Sequence, residues 1–261
     1  MMNKKEKLIC CICGNECENN YGNNPYPLST SGKCCNTCNI KVLQCRIKES
    51  KIKSDYKNTD DLLNIINAND FIVIASRPSM GKSTLGYNII NKVSKRTKGN
   101  ILYFNYETSK DLLKSKITGN NIEIIDDTTI TIEQIKSKCE STNNLSLVVI
   151  DYIQLIPNSC SDISVKQIDY ISRTLKTITL KLNIPIIVLS QLGRQVEERE
   201  SKRPILRDLD VIGSLVQDSN KVIFLYRESY YNKDYKVNDL ELIVAKNRGG
   251  YTDTIRMLFD E

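Results

Sequence analysis

From Asp61 onward, short apolar β-branched runs alternate with helical patterns, which predicts a mostly parallel sheet covered by helices. The strand candidates are residues 71–76, 101–106, 121–125, 145–152, 185–190, 221–226, 240–246 and 252–259. Leu147-Val148-Val149-Ile150 and Ile186-Ile187-Val188-Leu189 are continuously apolar, as expected of central strands buried on both faces. Helices are predicted over 82–96, 110–116, 132–139 and 164–182. No helical pattern separates the last two strand runs, where Asn247-Arg248-Gly249-Gly250 predicts a hairpin turn.

The pattern fails before Asp61. Residues 8–45 are rich in Cys, Asn and Gly with little periodicity, and residues 46–60 are charged and read as a linker or a short connecting helix. The expected organisation is a cysteine-rich segment at 1–45, a linker at 46–60 and an α/β domain at 61–261. Eight of the ten cysteines lie in the first 45 residues, a clustering that favours metal over disulfides in a cytosolic chain. Cys10, Cys13, Cys35 and Cys38 form two CxxC knuckles able to place four sulfurs around Zn²⁺. Gly14 and Asn39 follow the knuckles and tolerate the left-handed backbone needed there. Cys11, Cys17 or Cys34 could replace a first-choice ligand, and unmetallated thiols in a tail are the alternative to a zinc site.

Composition narrows the chemistry. With 40% hydrophobic and 26% charged residues the chain has a globular make-up, and no apolar run reaches membrane-spanning length, so the cytoplasm is the expected location and no membrane partner is expected. The absence of His excludes histidine general-base catalysis and histidine metal ligation. A formal charge of +6 is compatible with nucleic acid without demonstrating it. The wealth of Asn, Ile and Lys fits an AT-rich genome, such as that of a phage or an AT-rich bacterium.

The strand at 71–76 leads into Ser76-Arg77-Pro78-Ser79-Met80-Gly81-Lys82-Ser83, followed by Thr84 and a helix. Strand, loop ending Gly-Lys-Ser, then helix is the context of a phosphate-binding loop, because backbone N–H groups and a helix N-terminus must converge on the phosphates. Lys82 would reach the terminal phosphates of ATP and Ser83 would hold Mg²⁺. Asp151 ends an apolar strand, where it can orient the metal's water shell. Glu107 follows another strand and is the better candidate for polarising an attacking water, the plain alternative being a solvated loop acid. Gln191 ends a third strand and could sense the γ-phosphate, although an exposed strand-end Gln is unremarkable by itself.

Together these motifs resemble the ATPase domain of DnaB-type replicative helicases, a RecA-like fold, over roughly 61–260. The matching segments are ASRPSMGKS, LVVIDYIQLI (147–156), IIVLSQLGRQVEERESKRPILRDL (186–209), GSLVQDSNKVIFLYRE (213–228) and AKNRGG (245–250), in the family's order. The resemblance implies Lys82 and Ser83 on phosphate and Mg²⁺, Glu107 as catalytic carboxylate, Asp151 as metal-associated acid and Gln191 as coupling residue. It also implies that Lys246 and Arg248 reach a neighbouring subunit's nucleotide, hence a homo-oligomer, most simply a hexamer. The implied activity is ATP-dependent DNA unwinding during replication, with single-stranded DNA and replisome proteins as partners.

The sequence departs from the family pattern in three places. The cysteine-rich segment stands where the family has a large helical domain. The stretch between Glu107 and Leu147 is short. Asp210-Val211-Ile212 replaces an Arg-Glu pair beside the DNA channel, and an acid there should weaken phosphate contact. The remaining candidates for DNA contact are Arg194, Arg199, Lys202, Arg203 and Arg207, interleaved with acids, so that a merely solvated loop is the alternative. An ATPase of RecA or KaiC type that remodels or switches partners without unwinding is the second functional reading, and a non-hydrolysing adaptor the third.

Overall fold

A computed structural model describes residues 8–17, 29, 31–38, 59–157, 165–210 and 213–258. Asn39, the linker to residue 58, Val211 and Ile212 lie outside the described residues. The chain divides into two compact units, one of residues 1–56 with 233–237 and the other of 57–232 with 238–261.

The larger unit carries an eight-stranded sheet. Its strands are β1 (Phe71–Ser76), β2 (Asn100–Asn105), β3 (Ile122–Ile125), β4 (Leu145–Asp151), β5 (Ile186–Gln191), β6 (Lys221–Tyr226), β7 (Asp239–Asn247) and β8 (Asp253–Leu258). The order across the sheet is β3-β2-β4-β5-β1-β6-β7-β8. The first six strands run parallel, and β7 and β8 close the edge antiparallel through the hairpin expected at Asn247–Gly250.

The helices are α1 (Thr59–Asn64), α2 (Lys82–Arg96), α3 (Lys110–Lys114), α4 (Ile132–Ser141), α5 (Val165–Leu182), α6 (Arg207–Asp210), α7 (Leu215–Asp218) and α8 (Glu228–Tyr231). They cover both faces, and the alternation along β1 shows how. Phe71, Val73 and Ala75 join a core with α4 and α5, whereas Ile72 and Ile74 join one with α1 and α2. On α5 the buried Ile168, Ile171, Leu175 and Ile178 recur at three- and four-residue intervals, the stripe a sheet-facing helix presents. Each such side chain contributes about 1.5–3 kcal/mol on burial.

The charged start of the sheet is also sealed. Asp70 precedes β1 and Lys221 opens β6; both are buried and paired with each other. Asp70 additionally accepts the Asn67 N–H at 2.7 Å. This pair ties the central strands together at the edge opposite the phosphate-loop sequence. Among the described residues no helix is long and apolar enough to cross a membrane.

Candidate nucleotide site and cysteine cluster

Strand β1 ends at Ser76 because the chain then meets Pro78, which lacks an N–H, and two residues with positive φ, Ser79 at 62° and Gly81 at 88°. Gly81 is the N-cap of α2, and a side chain there would be strained in this left-handed conformation. The turn aims the start of a fifteen-residue helix across the carboxyl edge of the sheet. Ser76 and Met80 face inward, the Ser76 hydroxyl donating to the Arg77 carbonyl at 2.9 Å.

The start of α2 and the end of β4 deliver Lys82 and Asp151 to one place. Lys82 Nζ lies 3.0 Å from Asp151 Oδ1, and the Tyr103 hydroxyl donates to Asp151 Oδ2 at 3.2 Å. The ammonium also sits 4.8 Å from the centre of the Tyr152 ring. Burial, and then the charge of Asp151, pushes the Tyr103 phenol far up, so it remains a donor at any ordinary pH. Arg77, Pro78, Ser79, Gly81, Lys82, Ser83 and Thr84 line a cavity of ≈ 300 Å³ together with Glu107 and Gln191. Glu107 stands two residues beyond the end of β2 and is exposed, while Gln191 is the half-buried last residue of β5. A left-handed glycine, a helix N-terminus, an ammonium, a hydroxyl and two carboxylates fit a polyphosphate with its divalent cation.

Other expected residues are engaged within the chain. Arg77 turns its guanidinium onto the Leu192 carbonyl (2.6 Å) and the Glu197 carboxylate (2.9 Å). Arg199 forms two hydrogen bonds to Asp208, at 2.5 and 2.9 Å, and Arg203 two to Glu241, at 2.7 and 3.1 Å. Lys202 donates to the carbonyls of Glu197 and Arg199. Arg194 and Arg207 are exposed. Lys246 donates to the carbonyls of Val216, Gln217 and Ser219 and Arg248 to that of Gln217, so both cap the C-terminal end of α7. Burial, and then Arg248, lowers the pKa of Lys246. Asp210 closes α6.

Two residues at the site escape sequence reasoning, Tyr103 and Gln154. Tyr103 sits inside an apolar strand and signals only strand propensity. Gln154 donates to Ser190 Oγ and the Gln191 carbonyl, both at 2.9 Å; it lies inside the matching segment 147–156, which assigns it no role.

In the smaller unit, the sulfurs of Cys10, Cys13, Cys35 and Cys38 all lie within 4.8 Å of one another. The Cys13–Cys35 separation is 3.8 Å, against about 3.8 Å for the edge of a tetrahedron with Zn–S bonds of about 2.3 Å. The N–H groups of Ile12 and Cys38 point at Cys10 Sγ (3.4 Å) and Cys35 Sγ (3.5 Å), and Gly14 has φ 76°. Burial opposes ionisation of Cys10, but backbone N–H groups bring its thiol down to about 6. Cys38, hydrogen-bonded to Cys13 and buried, is pushed up to about 12. Cys17 and Cys34 pack around this cluster and Cys11 is exposed. The donor set fits a closed four-thiolate zinc site.

The larger unit is thus a RecA-like α/β core with a phosphate loop at the carboxyl edge of its sheet. The model of the DnaB-like helicase C terminal domain matches residues 51–124 and 113–261, and the chain belongs to that family. It is 36% identical over 84% of its length to a probable replicative DNA helicase of Trieres chinensis, covering 58% of that protein. It is 33% identical over 85% of its length to the replicative DNA helicase DnaB of Geobacillus stearothermophilus, covering 57% of that protein. The chain therefore spans somewhat over half the length of these relatives. Among solved structures, a DnaB-like replicative helicase described with its interactions with primase superposes with a TM-score of 0.70 at 26% identity, covering 88% of this chain and 66% of that one.

Proposed function

We propose that this chain binds and hydrolyses Mg–ATP and couples hydrolysis to movement along single-stranded DNA, as a DnaB-like helicase acting in replication. The observation that carries the reading is the Lys82–Asp151 pair, whose lysine lines a cavity together with Ser83, Glu107 and Gln191. On ATP binding, Lys82 exchanges part of its contact with Asp151 for the β- and γ-phosphates; Ser83 and Asp151 would hold the Mg²⁺, which would offset the charge of the phosphates. Glu107 accepts the proton of the attacking water and Gln191 contacts the γ-phosphate. Lys246 and Arg248 belong to a neighbouring subunit's site in a ring, most simply of six. To serve there they must leave the carbonyls at the end of α7. DNA contact falls first to the exposed Arg194 and Arg207. Replisome proteins are the expected partners, in the cytoplasm of a bacterial cell or a phage-infected host. Single-stranded DNA should stimulate ATP turnover, and a forked duplex should be unwound. If DNA changes neither turnover nor assembly, the helicase reading fails.

Intramolecular engagement of Arg199, Lys202 and Arg203 favours a second reading, an ATPase that remodels partners without unwinding. ATP turnover with no strand displacement would select it.

The four cysteines would hold a structural zinc ion, whose four thiolates would leave no position for catalysis. Elemental analysis of the purified chain should give one zinc per molecule, lost in Cys35→Ser. A metal-free chain whose smaller unit stays folded would refute this assignment.

A further inference from the structure

Asp151 and Gln191 end neighbouring strands, yet the ladder between those strands stops short of both. Its last pair is Ile150 with Val188. On its other side β5 stays paired with β1 as far as Ser76 and Gln191, and the Leu192 N–H reaches the Ser76 carbonyl at 2.9 Å. In a parallel ladder a residue's N–H and C=O point to the same neighbour, so those of Gln191 face the β4 side, where no backbone meets them.

Gln154 meets them instead. Ile153–Leu155 form a single 3₁₀ turn directly after β4, which brings the side chain of Gln154 back toward β5. Its Nε2 donates to the Gln191 carbonyl at 2.9 Å and to Ser190 Oγ at 2.9 Å, while its Oε1 accepts the Gln191 N–H at 3.3 Å. A carboxamide that both donates to and accepts from one residue's main chain replaces a missing backbone pair. Gln154 does not itself line the nucleotide cavity, whereas Gln191 does.

We propose that Gln154 is a positioning residue that locks the end of β5 to the turn after Asp151 and so holds the Gln191 side chain in the nucleotide cavity. The proposal rests on the ATPase reading above and adds a residue to it. Without Gln154, the Gln191 main chain keeps β1 on one side only, and its side chain loses a fixed approach to the γ-phosphate. Ground-state binding by the loop and Lys82 is untouched, so the loss falls on turnover rather than on affinity.

The test is a double-mutant cycle on the full chain with Mg–ATP. Gln154→Ala should lower kcat about tenfold with KM for ATP within about threefold. Gln154→Glu, of equal size but without the donor, should fall as far. In a Gln191→Ala background, Gln154→Ala should have no further effect. An equal tenfold loss in that background, or wild-type kcat in Gln154→Ala, overturns the proposal. Gln154→Met serves if the alanine variant does not fold. Hydrogen exchange decides the contact without turnover: the Gln191 amide should exchange about tenfold faster in Gln154→Ala. Unchanged exchange refutes the lock even in an active enzyme. A chain that exchanges as expected but hydrolyses no ATP refutes the ATPase reading and leaves the lock standing.

Discussion

Two lysine–aspartate pairs lie at opposite edges of the same sheet, and they are almost equally buried. At the amino edge Lys221 and Asp70 have side chains 2% and 8% exposed; at the carboxyl edge Lys82 and Asp151 are 10% and 0% exposed. Burial does not distinguish them. Surroundings do. Asp70 spends its other contact on the Asn67 N–H of its own turn. Lys82 projects from the start of a long helix into a cavity with a hydroxyl and a further carboxylate. Cavity size is no guide either, because Lys221 lines a larger one of ≈ 460 Å³. That cavity is faced by the C-terminal end of α1, where leftover carbonyls disfavour phosphate, whereas a helix start offers N–H groups. The same ion pair is thus a strut at one edge and the border of a cavity lined by the phosphate loop at the other.

Lys82→Ala should produce the largest effect and produce it in activity. ATP turnover should fall roughly a hundred- to a thousandfold, as when one preorganised donor to developing charge is removed. Thermal stability should barely move, since Asp151 keeps the Tyr103 hydroxyl and truncating Lys82, which lines the cavity, lets water reach the carboxylate behind it. A melting temperature that drops with turnover would erase the contrast between the two edges.

Lys221→Met should do the reverse. It leaves Asp70 buried with the Asn67 N–H alone, at a cost of about 3–5 kcal/mol in a denaturant titration. Turnover per folded molecule should stay at the wild-type level. Adding Asp70→Asn to Lys221→Met should recover most of the loss, because the unpaired charge is then gone. If the double variant is no more stable than the single one, Asp70 is not the source of the penalty.

The two edges also differ in how far they could be read from sequence. Helix α2 and strands β1 and β6 fall where hydrophobic periodicity and the Gly-Lys-Ser loop put them, because local pattern and tertiary burial agree there. Lys221 gave no hint of its role. Its partner is 151 positions away, and only the β1–β6 register brings the two together. The helices α6, α7 and α8 have four residues each, too few to show a period. The phosphate loop was legible because strand, glycine turn and helix start follow one another directly in the sequence. Arg77 belongs to that motif, yet its side chain serves Leu192 and Glu197, contacts 115 and 120 residues distant. The contacts of Gln154 and Tyr103 were invisible for the same reason, since their partners lie on other strands.

The Arg77–Glu197 pair gives the smallest effect and sharpens the comparison from the solvent side. Its carboxylate is 37% exposed, so water screens it far more than the two buried pairs. The hydrogen bond from Arg77, opposed by partial burial, still holds Glu197 below the usual carboxylate range. A group whose folded pKa is lowered stabilises the fold above its unfolded value, about 4.3 for Glu, and loses that contribution as pH falls through the folded value. Acidification below about pH 4.3 should therefore loosen the segment after β5 before it disturbs the sheet. In Glu197→Gln this early step should disappear, because the neutral amide keeps a hydrogen bond from Arg77 Nε without the charge, so that already at pH 7 the segment is as loose as wild type becomes only in acid. Hydrogen exchange across residues 193–203, followed from pH 6 downward, reads the difference. Identical acid dependence in the two proteins would show that Glu197 gains nothing from Arg77, and that only the buried pairs carry charge into the stability of this domain.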